Sequence, residues 1–135
     1  MKQEEKELLL KDLCARLPYG VKCLVNYTIC NETTDYNDVK SSVVDTITEI
    51  NQQTERYFFE WLCEWFEFDE FKPYLFPLSS MTEEQEKECQ KIKHSYYYDD
   101  DAFVLFDWYD KNHFDYRGLI PMGLANDATN LGIYE

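Results

Sequence analysis

The 135-residue sequence predicts a single α+β domain, in which one N-terminal helix and two C-terminal helices pack on a small antiparallel sheet of three or more strands. Three observations predict this class. Residues 4–17 repeat apolar side chains at helical spacing, residues 21–68 carry alternating and β-branched segments, and the residues after 81 return to helical spacing. No internal repeat or low-complexity linker divides the chain, which indicates one core.

The N-terminal helix is predicted over residues 4–17 and is amphipathic. Lys, Glu and Arg side chains take its polar face. The apolar side chains that recur at helical spacing are Leu10, Leu13, Cys14 and Leu17, with Leu9 beside them. Pro18 ends the helix, because proline cannot donate the next helical hydrogen bond.

Two strands are predicted in the next part of the chain. Between residues 21 and 29, apolar side chains alternate with polar ones and fall on one side of a strand. Residues 31–38 are rich in turn formers and predict a surface loop. The β-branched segment at residues 41–50 then predicts the second strand.

Residues 57–68, with the sequence YFFEWLCEWFEF, support two interpretations. Their aromatic content and short length favour a third strand over about the first half, and the polar connection at 51–54 suits a hairpin with the second strand. In contrast, Glu60, Glu64 and Glu67 are spaced as one polar stripe of a helix, so a helix over residues 57–66 is the alternative.

A joint at residues 69–85 separates the strand-rich front half from the helical back half. Pro73 lacks an N–H group and disfavours helical angles at Lys72, so only a short turn is expected to begin at Asp69. A dense apolar segment follows this turn. Thr82 and Gln85 have the spacing of a capping box, which predicts that a helix begins there.

Two helices are predicted after the joint. The first is mostly charged and has a narrow seam formed by Met81, Gln85, Cys89, Ile92 and Tyr96. The second is predicted from about Ala102 to Asn112, capped by Asp101. On this helix the charged face is expected to hold Asp107, Asp110 and Lys111, opposite Leu105, Phe106, Trp108 and Tyr109. The glycine-containing tail after the second helix predicts irregular structure.

The net charge of the chain distinguishes between nucleic acid and protein as a partner. Asp and Glu number 27 against 13 Lys and Arg, which gives a formal charge of −14 and a pI near 4.4. This charge opposes direct binding to nucleic acid and favours a protein partner with a basic surface. Solubility is the simpler explanation of the same acidity.

Cysteine usage and the N-terminus predict a cytoplasmic protein. The five cysteines include no C-x-x-C pair, so neither a disulfide framework nor a zinc ribbon is expected and the thiols should be reduced. The first residues resemble neither a signal peptide nor a membrane span, so no membrane association is expected. The chain carries no nucleotide-binding or other cofactor motif, and no cofactor is expected.

One group of side chains could serve a small metal-dependent enzyme. Asp107 and Asp110 are one helical turn apart and His113 and Asp115 follow the helix end, so the four could converge on a divalent metal. An acidic helix surface and a histidine that caps a helix explain the same residues without chemistry. Arg117 could clamp a carboxylate or phosphate, although an ion pair with Asp115 or a nearby Glu is the commoner role.

A partner surface is the leading functional hypothesis. The candidate partner-binding residues are Tyr74, Tyr96, Tyr97, Tyr98, Asp99, Asp100 and Asp101. Trp61 and Trp65 are of the same type, but core packing is the expected role of tryptophans. A DNA-mimicking inhibitor is the sharpest form of the hypothesis, and it requires the acidic side chains to lie in a row on one face.

Three stretches resemble a family of small uncharacterised proteins from Bacteroides and related gut bacteria. They are DLCARLPYGVK at 12–22, FKPYLFPLSSMTEEQ at 71–85 and FDWYDKNHFDYRGLI at 106–120. Members of that family are often encoded in phage-like or mobile regions. That family has no assigned activity, so the resemblance implies a phage- or mobile-element context and little about mechanism. The leading hypothesis is a non-enzymatic interaction protein that engages a basic protein surface of the host or of the mobile element.

Overall fold

The fold was obtained as a computed structural model that describes residues 2–29, 39–99 and 102–135, without the side chains of residues 95–99 and 102. The helices are α1 (Gln3–Arg16), α2 (Glu83–Asp99) and α3 (Ala102–Lys111). The strands are β1 (Lys22–Ile29), β2 (Val39–Asn51), β3 (Arg56–Phe59), β4 (Glu64–Glu67), β5 (Phe71–Pro77), β6 (Phe114–Asp115) and β7 (Asn126–Asp127). The α+β class is confirmed, whereas the predicted loop at 31–38 lies outside the described residues.

The sheet is mixed, whereas the sequence predicted a purely antiparallel sheet. Its order is β4-β3-β2-β1-β5-β6, with β7 also paired to β5. Strands β1 to β5 pair with antiparallel neighbours, whereas β6 and β7 each run parallel to β5. The tail, predicted to be irregular, therefore supplies two short strands, because its backbone pairs with β5.

The hairpin of β2 and β3 confirms the predicted third strand, and the helical alternative for residues 57–66 is wrong. Ile50 pairs with Tyr57 across this hairpin. The second half of the aromatic segment turns back as β4, in which Trp65 pairs with Phe58. The stripe that suggested a helix is explained by this turn, because Glu60 lies in it while Glu64 and Glu67 lie on β4.

The joint contains strand β5, which was not predicted because its sequence includes Pro73 and Pro77. The predicted turn beginning at Asp69 ends earlier than expected, because β5 begins at Phe71 and places Pro73 opposite Cys23. Asn26 N–H donates to the Glu70 carbonyl at 2.8 Å. In an antiparallel pair, every second residue of a strand is hydrogen-bonded to the same neighbour. Counted from Glu70, the bonded residues are Lys72 and Tyr74, so Pro73 is not required to donate to β1 and its missing N–H costs no bond there.

The capping box at the start of α2 is confirmed. The N–H of Thr82 donates to Gln85 Oε1 at 2.9 Å, and the N–H of Gln85 donates to Thr82 Oγ1 at 3.2 Å. The predicted seam also holds where side chains are described, since Cys89 is buried and Met81 and Ile92 pack against the same cluster. None of the described helices is long and apolar enough to cross a membrane.

Two hydrophobic clusters form the core of the described residues. The larger lies between α1 and the sheet and includes Leu9, Leu13, Val25, Phe59 and Leu75. The smaller joins α2, α3 and β6 through Cys89, Trp108, Tyr109 and Phe114. In the described part of the chain the cysteines at 14, 23, 63 and 89 are free thiols.

The orientation of α3 differs in part from the prediction. Asp110 is buried together with Trp108 and Tyr109, whereas Phe106 is 44% exposed. The predicted division into a charged outer face and an aromatic inner face therefore holds at Trp108 and Tyr109 and is wrong at Asp110 and Phe106. The physical reason is that Asp110 meets an arginine from α1 inside the protein.

Candidate functional site

Four charged side chains form what we call the buried charge cluster: Asp12, Arg16, Asp110 and Arg117. Asp12 and Arg16 lie one turn apart on α1, and both are completely buried. Arg16 Nε donates to Asp12 Oδ2 at 2.8 Å, and Arg117 Nε donates to Asp12 Oδ1 at 3.1 Å. Asp12 is therefore held by two arginines, one from its own helix and one 105 residues away.

Arg16 also links α1 to the strand after α3. Its Nη2 donates to the Phe114 carbonyl at 2.6 Å. The predicted amphipathic pattern assigned arginine to the polar face of α1, and this is wrong for Arg16. The signal was in the spacing, because Leu9, Asp12, Leu13 and Arg16 follow i, i+3, i+4, i+7 and so share one face.

Asp110 is the less compensated carboxylate of the cluster, and the Nη1 of Arg16 also lacks a hydrogen-bond partner among the described residues. Asp110 Oδ1 lies 3.9 Å from Arg16 Nε, too far for a hydrogen bond, and finds no donor among the described residues. Burial raises the pKa of Asp110 above its ordinary value, while the Tyr116 hydroxyl and Arg16 act in the opposite direction. A buried acceptor in this state costs roughly 1–3 kcal/mol.

Tyr116 connects Asp110 to Arg117. Its hydroxyl accepts a hydrogen bond from Arg117 Nη2 at 3.0 Å, and it lies close enough to the Asp110 carboxylate for each group to shift the pKa of the other. Burial raises the pKa of Tyr116 to about 12, and the Asp110 carboxylate acts in the same direction. Arg117 thus forms a structural ion pair, but with Asp12 and not with the predicted Asp115 or a Glu.

The structure gives the four residues of the metal hypothesis separate partners. Asp107 is exposed and accepts a hydrogen bond from the Tyr19 hydroxyl. Asp115 is buried and accepts from two backbone N–H groups of the tail, those of Leu119 at 2.8 Å and Ile120 at 2.9 Å. Both carboxylates have structural roles in these positions.

His113 also has a structural environment. Its ring stacks on Tyr134 with centroids 3.7 Å apart. Burial lowers the pKa of His113 to about 4, and the charges of Arg16 and Lys22 act in the same direction. Among the described residues, the three ligand oxygens that do lie within 4.8 Å of one another belong instead to Glu67, Asp69 and Glu70. The metal hypothesis therefore gains no support from the geometry.

A groove of about 940 Å³ opens over the buried charge cluster, between α1 and α3. It is lined by Lys11, Ala15, Phe103, Val104, Phe106, Asp107, Asp110, Tyr116 and Arg117. Three apolar side chains of α3 stand at its edge in contact with solvent, of which Phe103 is 83% exposed. The groove thus combines a charged floor with an apolar wall.

The second region is the hairpin of β3 and β4, residues 56–67, which we call the tryptophan hairpin. Its turn, residues 60–63, carries Trp61, which is 69% exposed. Trp65 on β4 is 42% exposed and packs edge-on against Phe58, with centroids 5.3 Å apart. The expectation that these two tryptophans belong to the core is wrong, because the turn and the outer side of β4 hold them outside it.

A buried carboxylate fixes the turn of the tryptophan hairpin. Asp45 on β2 is 5% exposed and accepts hydrogen bonds from the backbone N–H groups of Trp61 at 3.0 Å and Leu62 at 2.9 Å. Cys63 completes the turn with a left-handed backbone, at φ 53°. Asp45 therefore presents Trp61 to solvent from a turn of defined shape.

The surroundings of the tryptophan hairpin are strongly acidic. Residues 41–71 contain eight acidic side chains and one basic side chain, Arg56, so their formal charge of −7 is half of the −14 carried by the chain. Glu60, Glu64 and Glu67 are exposed on the hairpin itself. Arg56 reaches Glu67 at 3.8 Å and is itself exposed.

The residues predicted to bind a partner lie elsewhere. Tyr74 is 9% exposed on β5, and its carbonyl accepts the Tyr134 hydroxyl at 2.7 Å. Residues 96–99 belong to the last turns of α2, where side chains are outside the described set, and Asp100 and Asp101 are outside it altogether. Among the described residues, the large exposed aromatic side chains are Trp61 and Trp65, which were expected in the core, and Phe103 and Phe106 on α3.

No protein-family model, curated protein or solved structure matches the chain. The resemblance to small Bacteroides proteins therefore stays a prediction.

Proposed function

We propose that the protein is a non-enzymatic interaction protein whose tryptophan hairpin binds a basic surface of a partner protein. One observation carries this proposal: Trp61 is 69% exposed on a turn that a buried carboxylate holds in place. An indole in water contributes little to folding. Tryptophan is, however, among the residues that contribute most to protein interfaces when a partner covers them.

The fixed turn supports this role through preorganisation. Binding costs free energy when it orders a mobile loop, and a turn already held by Asp45 avoids part of that cost. Trp65 extends the apolar surface along β4, and Phe58 supports its ring from the neighbouring strand. The hairpin thus offers two exposed indoles, one on a turn with a fixed backbone and one supported by Phe58, which suits the anchor of an interface.

The acidic surroundings define the chemistry of the partner. The charge of −7 over residues 41–71 attracts a surface rich in Lys and Arg and repels nucleic acid. A DNA-binding protein of a bacterial host or of a mobile element is one such partner, and competition with DNA for that protein tests the DNA-mimic form. We place this interaction in the cytoplasm, where free thiols such as the exposed Cys63 stay reduced.

The decisive experiment measures affinity for the partner recovered from the native host by affinity capture at low salt. Trp61→Ala should weaken binding by about 30-fold or more, because a central tryptophan contributes at least about 2 kcal/mol at such interfaces. Leu131→Ala, which truncates an exposed apolar side chain of the tail, is the matched control and should leave the affinity unchanged.

A charge-reversal pair then locates the electrostatic contribution. Glu60→Lys with Glu64→Lys changes the hairpin, and Glu86→Lys with Glu88→Lys makes the same change of net charge on α2, where both glutamates are exposed. Only the hairpin pair should abolish the steep weakening of binding with salt. Equal effects of the two pairs would show diffuse attraction without a site on the hairpin.

A further inference from the structure

Strand β2 has one edge that is only partly paired among the described strands. On one side β1 pairs with it from Val39 to Thr46. On the other side its described neighbour is β3, which pairs with it only from Ile47 to Asn51. Residues 39–44 therefore have no described strand on that side, and we call this stretch the free edge.

The hydrogen bonds at the end of the free edge show which backbone groups point outward. Ile47 N–H donates to the Val21 carbonyl, just before β1, at 3.2 Å. The carbonyl of Thr46 faces the opposite way and accepts from Glu60 N–H at 3.0 Å. Because bonding alternates along an antiparallel strand, the even-numbered residues of β2 before Ile47 direct their N–H and C=O groups away from β1.

Three residues of the free edge thus present both backbone groups outward: Lys40, Ser42 and Val44. Natural sheets protect such edges with charged side chains, prolines or bulges. The free edge has one charge, Lys40, and the bulge of β2 lies beyond it, between Ile47 and Glu49. Its backbone is therefore suited to pairing with an extended strand.

The composition of the free edge identifies that strand. A chain with a formal charge of −14 repels a second copy of itself wherever acidic residues meet. Residues 39–44, VKSSVV, contain no acidic residue and one lysine. Val39 and Val44 are 52% and 40% exposed, so pairing also removes apolar surface from water. A second copy of the chain can thus approach here with little repulsion.

The free edge is also complementary to itself. Two copies that run antiparallel about Ser42 bring Lys40 of each opposite Val44 of the other, so outward groups meet outward groups. Each facing pair of this kind exchanges two hydrogen bonds, which gives about six across the interface. A register moved by one residue would place outward groups opposite inward ones and lose these bonds.

The space beside β2 has the length that this pairing needs. In the antiparallel arrangement Val39 of one copy lies opposite Asp45 of the other. The next position, Thr46, is already taken by Glu60. Strand β2 begins at Val39, so the second strand ends where the turn of the tryptophan hairpin begins. Lys40 of one copy then lies about 7 Å from Glu60 of the other along the strand direction, within reach of an ion pair.

We propose that β2 pairs with β2 of a second copy along the free edge, antiparallel about Ser42, so that one sheet continues through a two-fold dimer. The outward backbone groups require an extended strand, the absence of acidic residues suits a second copy, and the contacts of Lys40 with Glu60 fix the register. The dimer does not depend on the proposed function, because its bonds are made by the backbone of β2.

Sedimentation velocity of the full chain at about 5 to 500 µM tests the dimer, because the dimer fraction rises with concentration. The mass should increase from the 16.3 kDa of one chain towards twice that value. A monomer at every concentration would overturn the proposal.

Val44→Pro removes one outward N–H from each copy. Since this N–H points away from β1, the pairing of β1 with β2 keeps its hydrogen bonds. The substitution should raise the dissociation constant of the dimer by about 30-fold or more, because each copy loses a bond and leaves a carbonyl group of the other unpaired. Val44→Thr keeps the N–H and the branched side chain and should leave the dissociation constant unchanged. A Val44→Pro protein that dimerises as tightly as the unchanged chain would overturn the assignment of the edge.

An exchange of charges tests the register and does not depend on how well the proline variant folds. Lys40→Glu should weaken the dimer by about fivefold or more, and adding Glu60→Lys should restore it. Lys91→Glu makes the same change of net charge on α2, where this lysine is exposed, and should have a smaller effect. An equal effect of both lysine substitutions, or no recovery in the double variant, would overturn the antiparallel pairing about Ser42.

Discussion

The buried charge cluster and the tryptophan hairpin each depart from the usual rule that charged side chains are exposed and large apolar ones are buried. The cluster buries charged side chains, and the hairpin exposes an apolar one. Between α1 and α3 the protein buries Asp12 and Arg16 completely, whereas on the hairpin it leaves 69% of Trp61 in water. The first arrangement joins distant parts of the chain through charge-assisted hydrogen bonds. The second contributes little to folding and creates a surface. The buried charges therefore stabilise the fold, whereas the exposed indole is available for the partner proposed above.

The largest expected effect comes from breaking the buried charge cluster. Arg16→Met should lower the free energy of unfolding by about 3–5 kcal/mol, because it leaves the buried Asp12 and Asp110 without their shared arginine. Urea denaturation followed by tryptophan fluorescence measures this change. Arg56→Met is the matched control, since it removes an arginine from an exposed pair with Glu67 and should cost at most about 1 kcal/mol.

Equal losses in the two arginine variants would contradict the comparison. They would mean that Arg16 is no more important than a surface arginine, and that hydrophobic packing alone joins α1 to β6.

Local signals in the sequence were sufficient for much of the fold. The capping box of Thr82 and Gln85 and the β2–β3 hairpin each depend on residues close in the chain, as does the end of α1 at Arg16, which is followed by a 3-10 turn containing Pro18. Strands β6 and β7 were not predictable in this way, because two-residue strands have no periodicity of their own and exist through pairing with β5.

The two candidate regions were missed for different physical reasons. Arg16 was assigned to solvent because its polarity outweighed its spacing from Leu9 and Leu13, and its ion-pair network includes Arg117, far along the chain. Trp61 was assigned to the core because composition does not reveal the turn at 60–63, which needs the carboxylate of Asp45 from β2. The correct placement of Arg16 and Trp61 depends on contacts between residues that are far apart in the sequence, which local sequence patterns do not reveal.

The second prediction concerns the pH dependence of stability, because protonation of the buried His113 would add a positive charge near Arg16. His113 has its pKa lowered from 6.5 to about 4, so between these values the unfolded chain binds a proton that the folded protein does not. The free energy of unfolding should therefore be fully maintained above pH 6.5 and fall as the pH is lowered to 4, by up to about 1.4 kcal/mol per pH unit.

A substitution isolates this contribution from other titrating groups. His113→Asn tolerates the left-handed backbone at φ 62° and should remove the His113 part of the slope. Asp110 acts with the opposite sign, because its raised pKa makes protonation at low pH easier in the folded state, and it is present in both proteins. An unchanged slope in His113→Asn would contradict a neutral, buried His113.

The smallest expected effect on stability is the most informative about the hairpin. Trp61→Ala should change the free energy of unfolding by less than about 0.5 kcal/mol, because most of the indole is already in water. Phe59→Ala, two residues earlier, should cost about 3–5 kcal/mol, because its buried ring packs against Phe66 and Phe71. Urea denaturation followed by far-ultraviolet circular dichroism measures both without relying on tryptophan fluorescence.

A loss above about 1.5 kcal/mol for Trp61→Ala would make the indole part of the folded framework, and its exposure would no longer point to a partner. A negligible loss together with the 30-fold weaker binding expected above would separate the two roles of the hairpin. Phe59 would then act in the core, while Trp61, held in place by Asp45, would act only at the interface. Trp61 would then contrast with Arg16, because removing the apolar side chain would weaken binding and spare the fold, whereas removing the charged side chain should destabilise the fold.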